Sequence, residues 1–340
     1  MLKKLFLLLI LLLSISLIAN EKGDKKMESI LENKPSFTIR MESQYANFIV
    51  TLNGVTVYNG TDGTPITLEM PVNHLITSGD NELKVQLLAW DDTNYKLHKD
   101  LLCKVSLRVK KFGEFDKKPI TISKIIYDNK KENPLSDSTQ KGAYSSINNF
   151  KLDKNGDVIV SDIKQKKLTS YQWDKVEGVM LSQIINLKTP FPRWKFLDSE
   201  KIINTRFDEL TKNEYYTLRQ RADIKELYKA YKRIYDALEK KDVDSIIDLF
   251  DERNKEMDIA MYHNKPYYKK RLYEALKKDV NDNNRELLKW NESEMYFFIE
   301  ENGKLIYIDG AITFNDKDGS TNTSYPILFR KENGKWIISR

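Results

Sequence analysis

The chain has 340 residues, 31% of them charged, a formal net charge of +6, one cysteine and three histidines. One thiol forms no internal disulfide, His74, His98 and His263 are too scattered for a zinc motif, and acids alternate with lysines (Glu239, Lys240, Lys241, Asp242) without the long basic block that nucleic acid requires. No phosphate loop, dinucleotide fingerprint or Gly-x-Ser-x-Gly is present, so neither a cofactor nor a metal is expected.

Residues 1–19 read as a secretory signal. Met1, Lys3 and Lys4 precede the apolar run Leu5 to Leu13, and Ala19 offers a small residue for cleavage. The run is about 15 residues, short for a bilayer core of about 30 Å. Its removal takes away two lysines and no acid, which lowers the net charge from +6 to +4. The leader has no terminal cysteine for lipid attachment. The expected location is therefore periplasmic or secreted, with association at the cell envelope, and the membrane is met only through an uncleaved leader. Residues 20–35 are polar and read as a flexible tether.

Residues 36–205 show a period of two and read as a β-sandwich. Phe37, Ile39 and Met41 alternate with polar residues, as do Phe48, Val50 and Leu52, then Leu83, Val85 and Leu87. Asn53-Gly54 marks a tight hairpin, because both residues tolerate positive φ. Leu101 to Val109 is a strand that places Cys103 on its buried face, as a packed thiol and not a nucleophile. Asp128 to Ser146 reads as a long surface loop. Strand-like segments follow at Phe150 to Leu152, Val158 to Val160, Leu168 to Trp173, Val179 to Leu187 and Trp194 to Leu197. Ser78-Gly79-Asp80-Asn81-Glu82-Leu83-Lys84-Val85 resembles a phrase of bacterial sandwich domains, "Gly-x-Asn-x-Leu-x-Val", whose asparagine ties a loop to a strand.

Residues 206–340 change to a period of 3.6 and then back to two, which predicts an α+β unit. Leu218, Ala222, Leu227, Tyr231, Ile234 and Leu238 share a face, Asp242 is placed to cap a second helix, and Pro266 opens a third. Hairpins follow across Asn302-Gly303 and Asn333-Gly334. Between them lies the polar turn Asn315 to Thr323. The run Ile234 to Phe250, with its Lys240-Lys241-Asp242 corner, and the ending Ile327 to Ile338 resemble the cone-shaped superfamily of nuclear transport factor two, ketosteroid isomerase and scytalone dehydratase. That resemblance implies a curved sheet around a helix and a conical pocket. By pattern its lining would be Tyr231, Tyr235, Tyr262, His263, Trp290, Tyr296, Tyr307 and Asp309, with Asp309 or His263 as general base in a catalytic reading.

Asp153-x-Asn155-Gly156-Asp157 and Asp316-x-Asp318-Gly319 are fragments of calcium loops but lack a full oxygen set, and read as turns. The expected function is non-catalytic binding of a protein partner or small ligand outside the cytoplasm, one version being immunity-type neutralisation of a toxin. The alternatives are a hydratase or isomerase using the C-terminal pocket, and carbohydrate binding through Trp90, Tyr95 and Trp173.

Overall fold

A computed structural model describes residues 34–60, 62–89, 97–130, 143–145, 159–168 and 178–340. The leader, nearly all of the tether, Phe150 to Leu152, Asp153 to Asp157, Trp90, Tyr95 and Trp173 lie outside the described residues.

The N-terminal part is built from antiparallel strands. In chain order they are β1 (Pro35–Gln44), β2 (Asn47–Leu52), β3 (Val55–Gly60), β4 (Ile66–Pro71), β5 (Gly79–Leu88), β6 (Leu102–Lys111), β7 (Ile120–Asp128), β8 (Ala143–Ser145), β9 (Ile159–Val160), β10 (Lys164–Leu168) and β11 (Gly178–Leu187). One sheet runs β4-β1-β6-β7-β8, the other β10-β11-β5-β2-β3, with β9 also paired to β11. The alternation read from the sequence is the alternation of burial. Phe37, Ile39 and Met41 of β1, Val105 and Leu107 of β6, Val85 and Leu87 of β5, and Leu181 and Ile185 of β11 all enter one apolar cluster. Fully burying each such side chain is worth about 1.5–3 kcal/mol. Cys103 lies in the same cluster, and burial pushes its thiol far up, out of the reactive range.

Two local expectations change. Ala143–Ser145, inside the expected surface loop, pairs with β7 as an edge strand. Trp194 to Leu197 is not a strand: Lys195–Asp198 form a 3-10 turn that buries Trp194, whose indole N–H donates to the Ile76 carbonyl at 2.6 Å. A buried indole needs that acceptor, and the turn brings the ring to it.

The turn chemistry holds in detail. Asn53 and Gly54 adopt φ of 53° and 69° and close the β2–β3 hairpin with Leu52 opposite Val55. Asn81 is buried; its amide donates to the carbonyls of Thr77 and Gly79, each at 2.9 Å, and its oxygen accepts from Thr77 N–H at 2.9 Å, tying loop to strand.

The C-terminal part has four helices among the described residues: α1 (Lys212–Arg219), α2 (Ala222–Glu239), α3 (Asp251–Ala260) and α4 (Tyr267–Asn281). Thr211 and Glu214 form a capping box at α1. Ile224, Leu227, Tyr228, Tyr231, Ile234, Tyr235 and Leu238 make the buried stripe of α2. Lys241, at φ 59°, ends it, and the Asp242 N–H returns to the Ala237 carbonyl at 2.8 Å. Asp242 caps a short turn, with Ser245 N–H on its carboxylate at 3.2 Å, and the following helix begins only at Asp251.

Two small antiparallel sheets complete the chain. One joins β12 (Arg285–Leu287), β15 (Thr313–Asp316) and β16 (Asn322–Ser324). The other runs β13 (Phe297–Ile299), β14 (Leu305–Ile308), β17 (Phe329–Glu332) and β18 (Lys335–Ile338). Helices and sheets share a second apolar cluster that includes Tyr231, Phe250, Leu276, Phe297, Phe314 and Phe329.

The two parts meet through their hairpin turns. Asn302 N–H donates to the Gly54 carbonyl at 3.1 Å, and a Cβ on Gly54 would sit 2.7 Å from Asn302. Glycine at 54 therefore serves the turn and the close approach together. Glu300 accepts from the N–H and hydroxyl of Thr56 at 2.8 and 2.7 Å, while Glu301 accepts from Thr51 and Lys84, each at 2.9 Å. On another side, Asn73 donates to the Ala260 carbonyl at 2.7 Å and Tyr262 to the Pro35 carbonyl at 2.9 Å.

Candidate functional site

The eight side chains that the resemblance implied do not converge on one cavity. Tyr231, Tyr235 and Trp290 belong to the C-terminal core. Tyr231 is fully buried against Phe329; its hydroxyl donates to the Ile327 carbonyl and accepts from Ile308 N–H at 3.1 Å. Both sides of that hydroxyl are engaged by backbone. Tyr235 packs on Trp290 with ring centres 5.6 Å apart. Tyr262 lies against Phe112 and Phe191 of the N-terminal part, and His263 stacks on Tyr267 at 4.1 Å in the loop before α4. Tyr296 is 47% exposed, and Asp309 is an exposed turn residue before Gly310. Tyr307 stacks on Phe298 at 5.5 Å and lines a cleft at the junction.

That junction cleft has a volume of about 140 Å³ and is walled by Thr51, Thr56 and Gln86 of the six-stranded sheet and by Phe298, Glu300 and Tyr307 of the C-terminal hairpin. Burial pushes Glu300 up to about 7, opposed by the Thr56 hydrogen bonds and reinforced by the neighbouring Glu301 charge. Both Thr56 donors meet the same carboxylate oxygen, so Glu300 acts first as a tie between the two parts.

A second cavity, about 120 Å³, lies inside the C-terminal part. Ile234 and Leu238 of α2, Phe250, Leu272 and Leu276 of α4, Ile312, Pro326 and Ile327 give it apolar walls. Its polar members are Arg253, Tyr325 and Arg340. Tyr325 donates to Asp279 at 2.5 Å, and Asp279 also holds Arg285 at 2.5 Å. Arg340 pairs with Glu256 and reaches the His74 carbonyl at 3.2 Å, yet its Nε is buried with no partner. Arg253 donates to the Asn254 side-chain oxygen at 2.9 Å, and no carboxylate among the described residues pairs with it. Burial lowers the pKa of both arginines, and at Arg253 the Arg340 charge adds to the effect.

Nearby charges are matched by contrast. Arg330, 1% exposed, makes a two-pronged pair with Glu252 at 2.6 and 2.8 Å. The Asp316 to Gly319 turn is likewise occupied. Asp316 accepts from Arg285 at 2.9 Å and from the hydroxyls of Ser320 and Thr321. Among the described residues no group of three or more His, Cys, Asp or Glu is placed to hold a metal ion, and no helix is long and apolar enough to cross a membrane.

None of the eight expected residues lines the 120 Å³ cavity, and sequence reading missed the two arginines that do. Arg253 sits in a helix whose charges show no clear stripe, and Arg340 follows the last strand. Neither position carries a local signal. Comparisons with protein-family models, with curated proteins and with solved structures return no match.

Proposed function

We propose that the protein is an exported, non-catalytic binding protein made of a β-sandwich and a cone-like α+β unit of the nuclear transport factor two type. The sandwich reading is supported by an apolar cluster that draws on both N-terminal sheets. The cone reading is supported by α2, whose tyrosines and isoleucines pack on the two C-terminal sheets. Export rests on the leader pattern of residues 1–19.

One observation carries the binding reading. The C-terminal cavity has apolar walls, two arginines and Tyr325, and neither a histidine nor a carboxylate is among its lining residues. Proton transfer needs a group that changes protonation near working pH; arginine does not, and the Tyr325 hydroxyl is engaged by Asp279 and pushed further from that range by burial. A cavity of this composition holds a ligand without transforming it.

The test is expression of the full chain with its leader in a bacterial host, followed by fractionation and intact mass measurement. The expected product is an extracytoplasmic chain shortened at or near Ala19. Native mass spectrometry of that product is expected to show a small molecule retained and released chemically unchanged. A full-length chain confined to the cytoplasm defeats the export reading. A ligand returned in altered form defeats the non-catalytic one.

A further inference from the structure

We infer that the C-terminal cavity takes a small monocarboxylate with an apolar body, its carboxylate held between Arg253 and the free Nε of Arg340. The proposal deepens the binding reading above and rests on it.

Size comes first. A cavity of about 120 Å³ is smaller than the roughly 150 Å³ that accommodates a benzene-sized guest. It therefore suits a straight or branched chain of about four carbons rather than a ring. Ile234, Leu238, Leu272 and Leu276 supply dispersion contacts and no hydrogen bonds, so the body of the guest is apolar.

Charge comes second. A half-buried arginine beside apolar side chains is costly unless an anion meets it. Arg330 and Arg340 have their glutamates, Glu252 and Glu256, but among the described residues Arg253 has none. Arg253 and Arg340 also repel one another across the cavity they share.

Hydrogen bonding is the independent sign. Arg340 is 8% exposed, and its Nε–H finds no acceptor. Its other contacts fix the guanidinium: Glu256 and the Ser339 carbonyl take Nη1, the His74 carbonyl takes Nη2, and the Phe196 ring lies 4.5 Å beneath it. The unused donor is thus held in place and cannot swing away to find water. The side-chain amide nitrogen of Asn254 and Nδ1 of His74 are also buried and unpartnered among the described residues, but neither residue lines the cavity. A buried donor left unmade costs about 1–3 kcal/mol, so a native fold that retains the Arg340 Nε–H at the cavity wall, beside a cation that no described carboxylate meets, calls for an acceptor that is also an anion. A carboxylate meets both demands, and an alcohol or amine of the same shape does not.

The experiment uses the full chain as purified, titrated with butanoate and with 3-methylbutanoate by calorimetry. 1-Butanol and 3-methyl-1-butanol serve as uncharged counterparts. The expected result is one-to-one carboxylate binding at least tenfold tighter than that of the matching alcohol. Arg253→Met, which keeps an apolar stem, should lose at least tenfold in carboxylate affinity and several-fold less than that in alcohol affinity. If that variant fails to fold, Arg253→Lys keeps the charge without the fork, and a loss of several-fold is expected. Equal binding of acid and alcohol, or an unchanged affinity in both variants, overturns the carboxylate proposal and leaves the binding reading standing. No binding of any of the four probes, together with no retained ligand in the native mass spectrum, overturns both.

Discussion

The N-terminal and C-terminal parts of this chain solve the same burial problem with different materials. In the N-terminal part, β1, β5, β6 and β11 are each ten residues long and zip along most of their length, with aliphatic side chains meeting in the middle. The C-terminal strands are only three or four residues long, and their order depends on what the helices bring. There, tyrosine hydroxyls and arginine forks bridge elements that share few ladder bonds: Tyr231 reaches Ile308 and Ile327, and Arg330 reaches Glu252. Long strands let backbone bonding and side-chain alternation fix a structure together. Short ones need specific side chains, and specific polar side chains are also what a binding cavity uses.

The contrast can be broken most severely at Arg330. Arg330→Ala leaves Glu252 with only the exposed Lys195, empties a fully buried side-chain site, and is expected to cost about 3–5 kcal/mol, read by urea unfolding. A loss within about 1 kcal/mol would show that the C-terminal part does not depend on the pair. In the N-terminal part the matching change is Leu107→Ala, which opens a hole in the aliphatic cluster at a cost of about 2–5 kcal/mol. That loss should be insensitive to salt and pH.

The junction offers a pH signature. Glu300 holds its proton more tightly in the folded chain than in the unfolded one. Its contribution is therefore fully present below about 4.5 and is lost as pH rises through about 7. The span is on the order of 3 kcal/mol. Glu300→Gln keeps an acceptor for Thr56 without the charge. It should flatten the melting temperature between about pH 5 and about pH 8 and exceed the parent at the upper end. A variant whose pH profile parallels the parent would remove Glu300 as the source.

Tyr231→Phe leaves the Ile308 N–H without its acceptor and is expected to cost about 1–3 kcal/mol, with protection of that amide from hydrogen exchange falling in step. At the small end, Lys229→Ala removes an exposed pair with Glu226 at 2.7 Å and should change stability by no more than about 0.5 kcal/mol.

Much of the fold is legible in the chain because its signals are local. The period-two burial of Phe37, Ile39 and Met41, the Asn53-Gly54 turn, the Asn81 tie and the start of α4 after Pro266 each follow from residues within a few positions of one another. Trp194 to Leu197 read as a strand because apolar residues cluster there. The Ile76 carbonyl, 118 residues away, bent it into a turn instead. The aromatic set was legible as a group of side chains but not as a place. Tyr231 and Tyr262 carry the same chemistry, yet one is core to the C-terminal part and the other seals the N-terminal part.

By itself the sequence determined the two periodicities, the turn positions, the buried thiol and the division into a strand-rich part and a helix-plus-sheet part. All of these depend on steric preferences and on apolar side chains seeking one face. Only the tertiary structure decided which polar groups would be left over. Arg253 and Arg330 are indistinguishable as letters. Arg330 is met by Glu252 and Arg253 by no carboxylate among the described residues, because pairing depends on elements brought together from distant parts of the chain. The cavity and the unpartnered Nε of Arg340 exist for the same reason.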